Sequence, residues 1–244
     1  MNRLLWGIVA SLGAMLAGTL MSLFALQRLH QPRPLQPAPP AEALSQASVA
    51  RVVRRAEPAV VQILVQSRPD PQAAPGSTWR VVGSGFVVDP HGEILTSAAL
   101  VRGARRVEVR CRSLAAPLTA DLVRLDPQRD VALLQVHPPR RMPALGLGPA
   151  AGPATGSYVV ALGGGGVTLG VVSADVRHVA LPGSTSRWLL QTDAPIPTGD
   201  LGGPLLDLSG RVAGMATYGV QVGRGIGFAV PAAELRPVFG RRGL

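Results

Sequence analysis

Few residues in this chain have the type and spacing to do chemistry. Nucleophilic attack on a carbonyl needs a hydroxyl or thiol, a base within hydrogen-bond reach, and a group that orients the base. The single cysteine, Cys111, lies in the alternating run 106–112. There Val107, Val109 and Cys111 share one face, and Arg106, Glu108, Arg110 and Arg112 share the other. It reads as a small buried hydrophobe rather than a nucleophile. One cysteine also excludes an internal disulfide framework and a multi-cysteine zinc site. The four histidines, His30, His91, His137 and His178, lie far apart without metal-ligand spacing, so no metal or other cofactor is expected. Gly163-Gly164-Gly165-Gly166 is followed by neither a Lys-Ser/Thr pair nor a helix. It is expected to close a tight turn between strands rather than to cradle a phosphate. Two segments remain: the acidic turn Asp126-Pro127-Gln128-Arg129-Asp130, and the run QTDAPIPTGDLGGPL from Gln191 to Leu205.

Short apolar runs separated by Gly, Pro and Asp must position these segments. They are AVVQILV (59–65), VVGSGFVVD (81–89), GEILTSA (92–98), RRVEVRCR (105–112), VALLQV (131–136), SYVVALG (157–163), VTLGVVSA (167–174), RWLLQTD (187–193), GPLLDL (203–208), RVAGMATYG (211–219) and GIGFAVP (225–231). Their lengths predict about eleven strands. Helices are expected only over 47–56 and 232–239. The fold class that follows is all-β, a barrel or sandwich.

Composition narrows the functions. With 47% hydrophobic and 16% charged residues among 244, the chain has material for a real core. The net charge is +10, and all 24 basic residues are arginine. Such a charge favours anionic partners. The arginines are spread along the chain, however, and only 4% of residues are aromatic. A nucleic-acid partner is not expected without a recognition motif or stacking surface. The densest basic patch, Arg102, Arg105, Arg106, Arg110 and Arg112, is expected to be a solvated strand face.

The motifs carry a resemblance. Gln191–Leu205 resembles the nucleophile loop of the HtrA (Deg) family of trypsin-fold serine proteases, Q-T-D-A-x-I-N-P-G-N-S-G-G-P-L. Further matches follow in the family's order. Glu57-Pro58-Ala59-Val60-Val61 resembles the first strand, and Gly83-Ser84-Gly85-Phe86 the G-S-G-F strand. Thr96-Ser97-Ala98-Ala99-Leu100-Val101 occupies the T-N-x-H-V-V slot. Asp126–Leu134 matches D-x-x-x-D-L-A-V-L, and Gly225–Pro231 matches G-I-G-F-A-I-P. The resemblance covers about 47–240. It implies two six-stranded antiparallel β-barrels with a cleft between them, about 47–145 for the first and 146–244 for the second.

Carried over residue by residue, the family's histidine position is Ala99, its aspartate position Asp130 and its serine position Leu201. Gly199 and Leu201 would supply the vestigial backbone oxyanion hole. Leucine offers no nucleophile and alanine accepts no proton, so the resemblance implies an inactive serine endopeptidase homologue. Without a histidine partner, Asp130 is expected to act structurally, capping its local turn or accepting backbone N–H bonds at a strand start. An active hydrolase using displaced residues and a basic protein binding anionic surfaces are the competing readings.

Residues Leu4–Leu26 form an uncharged run of 23, about 35 Å as a helix and long enough for a bilayer core. Its end, Ser22-Leu23-Phe24-Ala25-Leu26-Gln27, is a poor cleavage context, which favours an uncleaved anchor over a signal peptide. The expected layout is thus a transmembrane helix over 1–27, a Pro-rich linker over 28–46 and the protease domain over 47–244. Anchor and tether resemble the family's membrane-bound members. That implies a single-pass protein of a bacterial inner membrane, its soluble domain on the periplasmic side. No PDZ sequence follows Phe239, so a PDZ-less member is expected. The partners implied are protein or unfolded peptide, the membrane itself, and active relatives or further copies of the chain.

Overall fold

Apolar runs of six to nine residues cannot close a helix core but can line one face of a sheet. The computed structural model describes residues 45–66, 79–179, 187–220 and 225–239, and in them nearly every such run is a strand. Helix α1 (Gln46–Ala56) opens on Ser45, whose Oγ accepts from the Ser48 N–H at 3.1 Å, while the Ser45 N–H donates to Ser48 Oγ at 3.1 Å. This reciprocal cap satisfies two N–H groups at the helix start. Strands β1 (Val60–Gln66), β2 (Trp79–Asp89), β3 (Glu93–Ser97), β4 (Arg106–Cys111), β5 (Leu118–Asp126) and β6 (Val131–Val136) close the first barrel in the order β1-β2-β3-β6-β5-β4. Strands β7 (Tyr158–Gly163), β8 (Gly166–Val179), β9 (Arg187–Thr192), β10 (Pro204–Asp207), β11 (Val212–Val220) and β12 (Ile226–Pro231) close the second, β10-β11-β12-β9-β8-β7. All ladder pairs are antiparallel. The chain leaves the first barrel where the Leu145 N–H bonds Val87 C=O. It joins the second where the Gly148 N–H bonds Val212 C=O.

Burial follows the alternation. Val107, Val109 and Cys111 are buried, whereas Arg106 and Arg110 are exposed. Phe86, Ile63, Ile94, Leu95 and Leu134 are fully buried in the first core, each stabilising the fold by about 2 kcal/mol. Gly163 pairs with Gly166 across the β7–β8 turn, so the four-glycine run is the tight turn expected.

Two expectations change. The described residues hold twelve strands: β5 joins those read from the sequence. Only Ala120 of its nine residues is buried, and a bulge between Leu122 and Arg124 breaks the alternation. An outward-facing strand of this kind carries little periodic signal. The second change is a four-residue helix, α2 (Ala98–Val101), which follows β3 directly. Helix α3 (Ala232–Phe239) matches the expected range. The expected anchor and most of the Pro-rich linker lie outside the described residues. Among the described residues, no helix is long and apolar enough to cross a membrane.

Candidate functional site

Asp130 begins the site. It follows the turn between β5 and β6 and is the one non-glycine among the described residues with positive φ, +59°. Such a backbone costs on the order of 1–3 kcal/mol and persists only where its surroundings hold it. Here they do. Asp130 C=O accepts from the Ala98 N–H at 3.2 Å. Its carboxylate Oδ1 accepts from the Ala99 N–H at 2.9 Å, and Oδ2 from Ser97 Oγ at 2.9 Å and from Thr217 Oγ1 at 2.5 Å. Arg187 Nη1 lies 3.7 Å from Oδ2. Ser97 also caps α2 through its Oγ, which accepts from the Ala99 N–H at 3.2 Å. Asp130 is 2% exposed. The carboxylate therefore accepts backbone N–H donation, from α2 at the end of the neighbouring strand β3. The local turn is capped instead by Asp126, whose Oδ1 accepts from the Arg129 N–H at 3.0 Å.

Leu201 lies at the opposite wall. The 3₁₀ turn Thr198–Asp200 carries it into β10. Two contacts place this turn beside α2. A Cβ on Gly83 would meet Leu100 Cδ1 at 2.6 Å and Leu201 C=O at 2.7 Å. A Cβ on Gly202 would meet Ser84 C=O at 2.3 Å and Thr96 Oγ1 at 2.6 Å, and Gly202 has φ +83°. Only glycine allows both the close approach and that backbone. The segments bearing Ala99 and Leu201 are thus brought together, with Asp130 hydrogen-bonded to the first. Ala99 is exposed and presents a methyl group; Leu201 is half-buried.

Ser84 ties the turn down. Its Oγ donates to Gly199 C=O at 2.7 Å and accepts from the Gly164 N–H at 2.8 Å, while the Ser84 N–H bonds Leu201 C=O at 2.8 Å. The Leu201 N–H, expected to line an oxyanion hole with Gly199, donates to Thr198 C=O at 3.3 Å within the turn. Asp200 points inward and is 1% exposed. The Gly165 N–H donates to its Oδ1 at 2.7 Å, and its buried Oδ2 has no hydrogen-bond partner. Burial pushes its pKa up, against the lowering effect of that one hydrogen bond.

The remaining candidates fall elsewhere. His137 is exposed near Asp121, and His178 on β8 lies against Trp188 with ring centroids 5.3 Å apart. Burial pushes the Cys111 thiol up to about 11, which removes thiolate at neutral pH. Among the described residues, no group of His, Cys, Asp and Glu could hold a metal ion. Arg112 of the basic patch pairs with Glu57. Sequence reasoning missed Ser84, Thr217 and Arg187 as parts of the site. Ser84 and Thr217 lay inside recognised strands, where a buried hydroxyl cannot be told from a packed one. Arg187 had no signal, because its partner turn is remote in the sequence.

The family described as "Trypsin-like peptidase domain" matches residues 83–215. Bovine mitochondrial serine protease HTRA2 (Bos taurus) is 38% identical over 216 residues, 84% of this chain and 45% of that protein. Serine protease HTRA1A of Danio rerio is 36% identical over 201 residues, 77% of this chain and 40% of that protein. This chain therefore spans less than half the length of these curated relatives. Among solved structures, the HtrA-type protease AlgW with a decapeptide superposes with a TM-score of 0.66 at 29% identity, covering 78% of this chain and 66% of that one. With paired six-stranded barrels, the glycine-framed turn at Leu201 and a family match over more than half its residues, the chain belongs to the trypsin-like peptidase family, among its HtrA-type members.

Proposed function

We propose that this protein is an HtrA-like pseudoprotease, a peptide- or protein-binding module tethered to a membrane. The observation that carries this reading is the pair of side chains at positions 99 and 201. A methyl group at Ala99 stands beside a fully engaged Asp130, and an isobutyl group at Leu201 caps the glycine-framed turn. Neither can attack a carbonyl or take a proton, and no pKa shift supplies the missing atoms. The hydroxyls nearest to hand do not replace them. Ser97 and Thr217 are 2% and 7% exposed, and both donate to Asp130. An oxyanion hole and binding alone give about 10³–10⁴-fold over water, which is negligible for an amide. Engagement of the Leu201 N–H within its turn argues against even that contribution.

Peptide binding needs less. Strand β10 pairs with β11 only as far as Met215, and the turn occupies Ala216. Beyond it, Tyr218–Val220 pairs with β12 alone among the described residues. That leaves one backbone edge able to accept an added strand. The solved relative AlgW is described with a decapeptide, which is consistent with a peptide ligand here. The uncharged run Leu4–Leu26 and the prolines after it support an anchor in a bacterial inner membrane. The domain would then face the periplasm and act in envelope protein quality control, alone, with further copies, or beside active relatives.

The test is fluorescence anisotropy of labelled, unfolded casein fragments with the full chain in detergent micelles. The proposal expects saturable binding, with fragments of unchanged mass after prolonged incubation. Cleaved fragments, or no binding at all, would overturn it.

A further inference from the structure

The site holds a positive charge that no sequence motif announces. Arg187 opens β9 in the second barrel and extends into the first. Its Nε donates to Gln128 C=O at 3.1 Å, its Nη2 to Pro127 C=O at 3.1 Å, and its Nη1 lies 3.7 Å from Asp130 Oδ2. The arginine side chain is 13% exposed and the aspartate side chain 3%. A guanidinium keeps its proton at every accessible pH, so a positive charge always stands beside the Asp130 carboxylate. Other charged groups of the turn are committed elsewhere. Arg129 bonds Asp126 at 2.9 Å and Glu234 of α3 at 2.8 Å.

We infer that Arg187 has replaced the absent base as the charge partner of Asp130, converting that residue from an orienter of catalysis into a latch between the two barrels. This deepens the pseudoprotease reading and rests on it only in treating position 99 as the place of the missing base. An imidazole there would need Asp130 as an available negative charge, because it must become an imidazolium as the nucleophile's proton is taken. With the guanidinium 3.7 Å away and Ser97 and Thr217 donating to the same carboxylate oxygen, that charge is already spent. Position 187 therefore acts on the chemistry of the site alongside Ala99 and Leu201. It also does positive work: three oxygens of the first-barrel segment 127–130 face one side chain from the second barrel. Loss of the chemistry has left the geometry fixed. Arg187 is a positioning residue, not a catalytic one.

The test uses the full chain in detergent micelles. Ala99→His is compared with Ala99→His/Arg187→Met by NMR titration of the introduced imidazole, assigned by difference from the four native histidines. Removing the guanidinium is expected to raise its pKa by about one pH unit, and Arg187→Lys in the same background to keep it low. A loss of packing alone, with no loss of charge, would not move this value. If the double variant fails to fold, a thermal-unfolding cycle of Arg187→Met, Asp130→Asn and their combination replaces it. There the two losses are expected to overlap rather than add. An imidazole that titrates identically with and without Arg187, or strictly additive losses, would overturn the inference. Neither measurement depends on whether the native chain cleaves peptide, so failure of the pseudoprotease reading would be seen separately, as hydrolysis by the native chain.

Discussion

Two aspartates are buried at this cleft, and they live in opposite circumstances. Asp130 sits in the first barrel's corner with three hydrogen-bond donors on its carboxylate and an arginine beside it. Asp200 sits under the turn of the second barrel with one donor and one buried oxygen left unmatched. Gly163 and Gly165 crowd it so closely that a Cβ on either would stand 2.3 or 2.9 Å from its Oδ1. The same side chain thus stabilises one wall and taxes the other. Burial of a carboxylate stabilises only to the extent that its charge and lone pairs are met. The corner at Asp130 is fully satisfied with no base beside it. The turn that would present a nucleophile carries an uncompensated group.

The largest expected effect breaks the satisfied side. Asp130→Ala leaves Arg187 buried without its carboxylate and α2 without its long-range acceptor. It is expected to cost about 3–5 kcal/mol, a fall in Tm on the order of 10 °C by calorimetry. A change of a degree or two would mean that the donors around Asp130 find other partners. A milder cut is Ser97→Ala, which removes one donor and the α2 cap but leaves the ion pair. Its expected cost is about 1–2 kcal/mol, measured as a shift in urea midpoint with an unchanged slope.

The smallest effect has the opposite sign. Asp200→Asn keeps the shape and removes the charge, restoring the residue of the resembling G-N-S-G-G motif. A gain of about 1 kcal/mol at neutral pH is expected. Because burial raises the folded-state pKa of Asp200, its ionised form is a penalty carried above that pKa. The penalty fades as pH falls through the folded pKa, and it is gone below the ordinary carboxylate range. The Tm gap between variant and native chain is therefore widest at neutral pH and closes on acidification. A gap that widens in acid would contradict the assignment.

The contrast also shows what sequence pattern carries. Strand β4 was legible because three buried residues alternate with charged ones, and β5 was not because Ala120 alone turns inward. The turn at Leu201 was legible because glycines at 202 and 203 are demanded by close backbone approaches that no other residue tolerates. The short helix α2 was not, since four residues carry no period. Asp130 was found from its motif, yet its partners were not. Ser97, Thr217 and Arg187 come from β3, β11 and β9, and only closure of both barrels brings them to one carboxylate. Local pattern thus located the positions, whereas the charge balance of the site is a tertiary property.

The central claim is that this cleft retains its frame and lacks its nucleophile. The most direct measurement is treatment of the folded, full-length chain with a fluorophosphonate probe, with heat-denatured chain as control and intact mass as readout. The account predicts no adduct on the folded chain and none at Ser97, Thr198 or Thr217. A stoichiometric adduct that heat denaturation abolishes, mapped to any one residue, would contradict it and identify the nucleophile.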